Sequence, residues 1–362
     1  MDSITLNCYE IKKTMKTNLY SKTLEMLENE MVSLEQKPYR AKQIFKWLYQ
    51  KEVISIEEMS DISLSFRDVL NDLYSLDKPS IYLRQNSLDG TIKLLLEMKD
   101  KSKVETVLMR YNYGQVACIS SQVGCNMGCS FCASGLLKKT RNLEVDEMVG
   151  QILVLNDLLK EEDKNKRVTH VVVMGTGEPF DNYDNVINFI RIINDQRALA
   201  IGARHITVST CGIPDKICQY GKEGLQVNLA ISLHAPNNKL RSSLMKINKA
   251  YPLETLIPAV KDYIESSSRR VTYEYILLKG INDSLECADE LTKLIAPTFA
   301  YVNLIPYNEV KENAYRRADN KTVKAFQDRL IKNGVNVTIR KEFGSDIDAA
   351  CGQLRAKNKG VI

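Results

Sequence analysis

The chain has 362 residues, 44% hydrophobic and 26% charged, ordinary globular proportions that suffice for a large core with a smaller domain beside it. With 50 basic and 45 acidic side chains the formal charge is +5, which permits a nucleic-acid partner without requiring one. No apolar run approaches the roughly 18–20 residues of a membrane helix, and residues 1–13 hold no apolar signal core, so a cytoplasmic location without membrane attachment is expected. In that reducing compartment nine cysteines speak for metal or redox chemistry rather than a disulfide framework.

Residues 1–20 are weakly patterned and read as a mobile arm. Leu24, Leu27, Met31 and Leu34 recur at helical spacing across 21–34. A second helix starts near Pro38, a residue suited to a first turn, and runs through Ile44, Trp47 and Leu48. A third covers 64–73, and Lys78-Pro79-Ser80 ends this helical block. Segments 81–85, 91–97 and 104–111 read as strands, with a turn at Leu88-Asp89-Gly90. They form a small sheet bridging the front block to the remainder of the chain.

From Val116 strand patterns alternate with helical ones. Strands are expected at 116–120, 168–174, 205–209, 226–233, 271–278, 301–306 and 335–340, and helices at 145–159, 185–193, 253–265, 285–295 and 322–333. Repeated β-then-α order implies a parallel sheet with right-handed crossovers. Six or seven units fall short of a full eight-unit barrel. The fold class is therefore α/β, a partial (β/α)6 barrel. The chain divides into a front helical domain (1–79), a linking β segment (80–114) and the barrel with its C-terminal loop (115–362).

Cys125-Asn-Met-Gly-Cys129-Ser-Phe-Cys132 follows the first barrel strand. Thiolates are the preferred ligands of iron–sulfur clusters, and a cubane normally takes four. Three cysteines at this spacing leave one iron open to the amino and carboxylate groups of S-adenosylmethionine (SAM). An electron passed into the sulfonium then splits the C5′–S bond and gives a 5′-deoxyadenosyl radical. The competing reading is a structural zinc site. Zinc usually needs four Cys or His ligands, often as two pairs. No second pair lies nearby, and the chain has only three histidines.

Met174-Gly175-Thr176-Gly177-Glu178-Pro179 closes the next strand. Glycines there let backbone come close to a ligand, and Glu178 can pair with the ammonium of SAM. Gly-Glu-Pro is also simply a good turn. Ser209, Ser232 and His234 end later strands, where barrel ligands gather, though each taken singly reads first as a strand-end polar residue.

Together with Ser232-Leu233-His234 and the ending Gly344-Ser-Asp-Ile-Asp-Ala-Ala-Cys351-Gly-Gln-Leu, these motifs resemble the RlmN/Cfr family of radical SAM RNA methyltransferases over nearly the whole chain. The resemblance implies a radical SAM barrel carrying one [4Fe–4S] cluster on Cys125, Cys129 and Cys132. It implies a SAM site lined by Gly177, Glu178, Ser209, Ser232, Leu233, His234 and Asn308. Cys351 is implied as the cysteine that becomes S-methylated, Cys118 as the resolving cysteine and Glu105 as the proton acceptor. The implied targets are adenine 2503 of 23S rRNA and adenine 37 of tRNAs, methylated at C2. Two SAM molecules per turnover and a flavodoxin- or ferredoxin-like electron donor are implied with them, and a monomer is expected.

The chemistry suits these roles. C2 and C8 of adenine are poor nucleophiles and cannot displace a methyl from SAM, whereas a thiolate can. Cys351 takes the first methyl. A radical from a second SAM removes one of its hydrogens, and the carbon joins the ring. Attack by Cys118 then frees the product and leaves a Cys118–Cys351 disulfide to be reduced. Context alone reads either cysteine as a small buried hydrophobe, and Glu105 as the solvated face of a strand. Cys8, Cys211, Cys218 and Cys287 receive no role.

Two basic segments are candidates for RNA contact: Lys37 to Lys51, with its interleaved aromatics, and Lys138-Lys139-Thr140-Arg141. In the first, Ile44, Phe45, Trp47 and Leu48 read equally as core. An adenine delivered into a barrel mouth must be flipped out of its stack. Two other functions stay open: Cfr-type C8 methylation of the same rRNA adenine, giving antibiotic resistance, and a non-catalytic cysteine–metal RNA-binding module.

Overall fold

The computed structural model describes residues 16–298, 300–310, 312–349 and 352–354; Cys8 and Cys351 lie outside the described residues. Three helices make the front block: α1 (Leu24–Ser33), α2 (Tyr39–Lys46) and α3 (Leu64–Leu73). α1 begins at Thr23, whose hydroxyl accepts the Met26 N–H at 3.2 Å. α2 runs on into a five-residue π turn, Trp47–Lys51, so the single helix expected from Pro38 onward is two segments. Ile44, Phe45 and Leu48 are buried. Trp47 packs partly buried against the same core and donates its indole N–H to Asp61.

Ten strands come next: β1 (Ser80–Asn86), β2 (Ile92–Glu97), β3 (Lys103–Tyr111), β4 (Gly114–Cys118), β5 (His170–Val173), β6 (Ile206–Thr210), β7 (Asn228–Ser232), β8 (Val271–Leu277), β9 (Tyr301–Pro306) and β10 (Asn336–Ile339). They lie side by side in chain order as one open ten-stranded sheet. β1 to β4 pair antiparallel, and every pairing from β4 to β10 is parallel. The seven parallel strands have six crossovers, the partial barrel expected from the β-then-α order. Strands β1–β3 extend that same sheet through the β3–β4 pairing.

The crossovers carry α4 (Val145–Glu162), α5 (Tyr183–Asn194), α6 (Pro214–Gly221), α7 (Asn238–Leu244), α8 (Leu253–Ser267), α9 (Leu285–Ile295) and α10 (Asn320–Lys332). Helices α6 and α7 were not expected. Both are short, and α6 is announced only by Pro214 in its first turn. Twelve of the 18 residues of α4 are buried, far more than one apolar stripe supplies. Helix α5 packs along one side of it, and the turn Leu19–Ser21 of the front block lies against it. Gly150 has no room for a side chain, since a Cβ would come within 2.4 Å of Pro79. Front block and barrel thus share one apolar core. No helix among the described residues is long and apolar enough to cross a membrane.

Side chains alternate strictly along the barrel strands. Val171, Val173, Ile206, Val208, Leu229 and Ile231 pack outward under the helices. Ser209, Ser232 and Glu274, on the other parity, face the barrel cavity. The segment after β10 then crosses the inner face of β3 and β4, where Phe343, Ala349 and Leu354 pack with Val107, Met109, Val116 and Cys118.

Candidate active site

The cluster loop leaves the barrel after β4. A two-residue ladder, Gln122–Val123 against Arg141–Asn142, closes its base. Within it the Cys125 N–H donates to Leu137 O at 2.9 Å and the Cys132 N–H to Cys129 O at 3.2 Å. Gly135 is pressed so close that a Cβ would lie 2.7 Å from Cys129 O. Cys125, Cys129 and Cys132 all line a cavity of about 920 Å³, mouth included, at the carboxyl ends of the strands.

Burial pushes the Cys125 thiol up to about 11 and the Cys129 thiol well above its usual value, with the neighbouring thiolates adding to both shifts. Sulfurs so placed ionise readily only against the positive charge of a metal. Three half-buried thiols lining one cavity suit the ligands of an iron–sulfur cubane.

Gly177, Glu178, Ser209, Ser232 and His234 line the same cavity as the cysteines. Gly177 has φ +118° and a Cβ there would lie 2.7 Å from Gln122 Cβ, so only glycine fits without strain. The Glu178 carboxylate is buried and pinned. One oxygen accepts the Phe180 N–H at 3.0 Å and the other the Cys211 N–H at 2.7 Å. Burial raises its pKa, and those hydrogen bonds oppose the rise. The Ser209 and Ser232 hydroxyls lie 3.4 Å apart on adjacent strands.

His234 sits at φ +57°. Burial, then the charge of Arg241, pushes its pKa down to about 3. Its Nδ1 accepts the Ile276 N–H at 3.1 Å, which leaves the proton of a neutral ring on Nε2. Leu233 is fully buried in the core rather than in the cavity wall, and its N–H donates to Glu274 O at 3.1 Å.

Cys118 and Asn308 line a second, smaller chamber of about 520 Å³. It shares Met174, Ile305, Arg340 and Leu354 with the first. Glu105 lines neither chamber. It is buried on β3 with Lys93 Nζ 3.5 Å away, so the solvated-face reading of this residue does not hold. Its carbonyl accepts the Ser120 hydroxyl, which in turn accepts the Thr176 N–H. No disulfide joins two cysteines among the described residues.

The C-terminal segment is stitched down at several points. Asp89 accepts the Gly344 N–H at 2.9 Å, Asp346 accepts the Leu88 N–H at 3.2 Å, and Lys93 donates to Asp348 O at 3.1 Å. Hydrogen bonds from Gly344 and Thr91 outweigh the effect of burial and hold the Asp89 carboxyl down at about 2. Beyond position 351, the Ala133 N–H donates to Gly352 O at 2.7 Å and the Ser134 hydroxyl to Leu354 O at 2.7 Å. The described neighbours of Cys351 therefore touch the Cys118 chamber on one side, through Ala349, and the Cys132 loop on the other.

Several residues of the site had no signal in the motif reading. Arg241, on the unexpected α7, is fully buried and donates to Cys211 O at 2.6 Å and to Asn248 at 2.9 Å, with its charge felt at Cys129. Glu274 lines the main cavity, accepts from Asn303 at 3.0 Å and faces Arg340 at 3.8 Å. Its place inside Thr-Tyr-Glu-Tyr, on an otherwise apolar strand, is the signal that would have found it. Cys211, left without a role, also lines the cavity.

Comparison with known proteins agrees with this geometry. The model for the radical SAM superfamily matches residues 119–294. That for the ribosomal RNA large subunit methyltransferase N-terminal domain matches residues 17–76. A probable dual-specificity RNA methyltransferase RlmN of Spiroplasma citri is 52% identical over 346 residues, covering 96% of this chain and 99% of that protein. One from Streptococcus pyogenes is 53% identical, covering 95% and 96%. The crystal structure of a radical SAM methyltransferase from Sphaerobacter thermophilus superposes with a TM-score of 0.88 at 39% identity, covering 94% of this chain and all of that one. The family's defining chemistry implies SAM and a [4Fe–4S] cluster, which sets aside the non-catalytic binding module. The chain belongs to the RlmN family of radical SAM RNA methyltransferases.

Proposed function

We propose that this enzyme methylates C2 of adenine 2503 in 23S rRNA and of adenine 37 in tRNAs, passing the methyl through Cys351. One observation carries the reading: the residues flanking Cys351 are anchored at once to the Cys118 chamber and to the cluster loop. A methyl carrier must meet SAM, the RNA base and a resolving thiol in turn, and a segment fixed between those places suits that task. The relatives' printed names, with their dual specificity toward RNA, support the choice of substrates.

In this reading Cys125, Cys129 and Cys132 hold the cluster, which when bound supplies the electron that cleaves SAM. Glu178 receives the ammonium of SAM with both carboxylate oxygens already oriented by backbone N–H groups. Gly177, Ser209, Ser232 and His234 complete the SAM site, with Asn308 in the adjoining chamber and Leu233 buried in the core between Ser232 and His234. Neutral His234 offers an N–H and Gly177 offers close backbone. Cys351 takes a methyl by displacing the sulfonium sulfur. Glu105 accepts the ring proton; its partner Lys93 also donates to Asp348 O, which ties that pair to the segment carrying Cys351. The ring radical would return its unpaired electron to the cluster as the ring proton leaves. Cys118, as a thiolate, then attacks the sulfur of Cys351; the bond from sulfur to the methyl-derived carbon breaks with its electron pair on carbon, which takes a proton to become the methyl group, and a disulfide remains for an external reductant. A cytoplasmic setting with a flavodoxin- or ferredoxin-like donor would supply electrons for cluster and disulfide alike.

Nucleoside mass analysis tests the regiochemistry. After reaction with the anaerobically reconstituted enzyme, digested 23S rRNA and tRNA are expected to contain 2-methyladenosine. An 8-methyladenosine product would favour the Cfr-type alternative.

A further inference from the structure

The opposite end of the barrel, at the amino ends of the parallel strands, holds a third and larger cavity of about 1820 Å³, mouth included. Its described lining carries three basic side chains at that end, Arg204, Arg269 and Arg270, and two more, Arg340 and Lys341, that it shares with the Cys118 chamber, against one acid, Glu274. Glu274 is already engaged, buried with Arg340 at 3.8 Å and Asn303 at 3.0 Å. Among the described residues no acid lies within ion-pair distance of the other four cations. The Nε of Arg269 is buried without an acceptor, although its Nη2 donates to Asn228 at 2.6 Å. Like charges gathered on one open cavity repel one another unless an anion joins them.

The loop after the cluster differs in this respect: Lys139 faces Asp181, and Arg141 is held by Asp100 and Glu147. In the front segment Lys42 faces Glu28, and its other cations have no acid within ion-pair distance among the described residues.

Rings flank the basic cavity. Tyr111, in its wall, stacks on Tyr113 with centroids 4.7 Å apart. Tyr113 meets His170 edge-on at 5.1 Å, and His170 stacks on His205 at 4.1 Å, next in sequence to Arg204. Tyr113 is 60% exposed. The cations come from three separate segments of the lining, at 204, 269–270 and 340–341, and the exposed Tyr113 stands beside them. That combination suits phosphodiester backbone with unpaired bases rather than a small free anion.

We infer that the amino-end cavity is a second RNA-binding surface, which grips a single-stranded stretch of the RNA substrate at the face of the barrel opposite the methylation site. The inference rests on RNA being the substrate, and deepens that reading by placing a contact away from the chemistry.

The test is the double variant Arg204→Glu/Arg270→Glu, with Arg204→Gln as a milder companion. Neither residue belongs to the SAM site. Binding of a labelled rRNA fragment to the reconstituted enzyme is followed by fluorescence anisotropy across a salt series. The double variant is expected to bind about tenfold or more weakly at low salt, and its log Kd against log salt should flatten by about 1.4 for two lost phosphate contacts on a single strand. Cleavage of SAM without RNA should stay at the wild-type rate, and the cluster absorbance should match. The milder variant should show about half the change in slope. Unchanged affinity and slope in both variants would overturn the inference. Binding is read separately from methylation, so a wild type that binds but yields no methyladenosine counts against the proposed reaction and not against this surface.

Discussion

Cys118→Ala is expected to stop the enzyme with RNA still covalently attached. Cys118 ends β4, is buried, and packs in one apolar cluster with Ala349 and Phe343 of the C-terminal segment. It lines the smaller chamber, which shares a wall with the cavity holding the three cluster cysteines. In the proposed reaction a thiol there attacks the sulfur of Cys351 once the methyl-derived carbon bridges sulfur and base. Alanine removes that attack and leaves a hole of only one sulfur atom, a small packing change beside the loss of the nucleophile. Product should then fall to less than one per enzyme, and a labelled RNA should migrate with the protein on a denaturing gel. Free, fully methylated RNA over many turnovers would remove Cys118 from the reaction.

Glu178→Gln is expected to cripple SAM binding. The side chain is buried, and each carboxylate oxygen accepts a backbone N–H. An amide keeps the shape but turns one of those acceptors into a donor facing a donor. It also loses the charge that would meet the ammonium of SAM. Truncating one partner of a buried, hydrogen-bonded charge pair costs about 2–5 kcal/mol, some 30- to several-thousand-fold in Kd. Equilibrium dialysis of SAM against the reconstituted variant reads this directly, with the melting midpoint as a control on folding. SAM affinity equal to wild type would take Glu178 out of the site.

Much of the architecture is legible in the chain because its strands carry apolar residues at period two under amphipathic helices. Val171, Val173, Ile206 and Val208 alone announce two parallel strands. The same periodicity misleads about the polar parity. In an antiparallel sheet with one wet face, an alternating charge points to water. In this barrel the helices cover the outside, so Glu274 and Ser232 point into the cavity, and Glu105 is buried on the same face as Cys118. Short-range motifs find residues that act near one another in sequence, such as Cys125 to Cys132 and Gly177-Glu178. They are blind to contacts made across the chain. The Asp89–Gly344, Lys93–Asp348 and Ala133–Gly352 bonds hold the C-terminal segment from more than 200 residues away, and no local pattern encodes them. Arg241 was missed for a related reason: its seven-residue helix offers too few turns for a periodic signal.

Passage of the methyl group through the protein is the claim on which the proposed reaction depends. It is tested by loading the enzyme with SAM bearing a trideuterated methyl, removing the excess, and starting a single turnover with RNA and unlabelled SAM. If Cys351 carries the methyl, one deuterium leaves with 5′-deoxyadenosine before the carbon joins the ring, and the first methyladenosine formed carries two. A first product with no deuterium would mean that the methyl reaches RNA from SAM directly, and the route through Cys351 would be wrong.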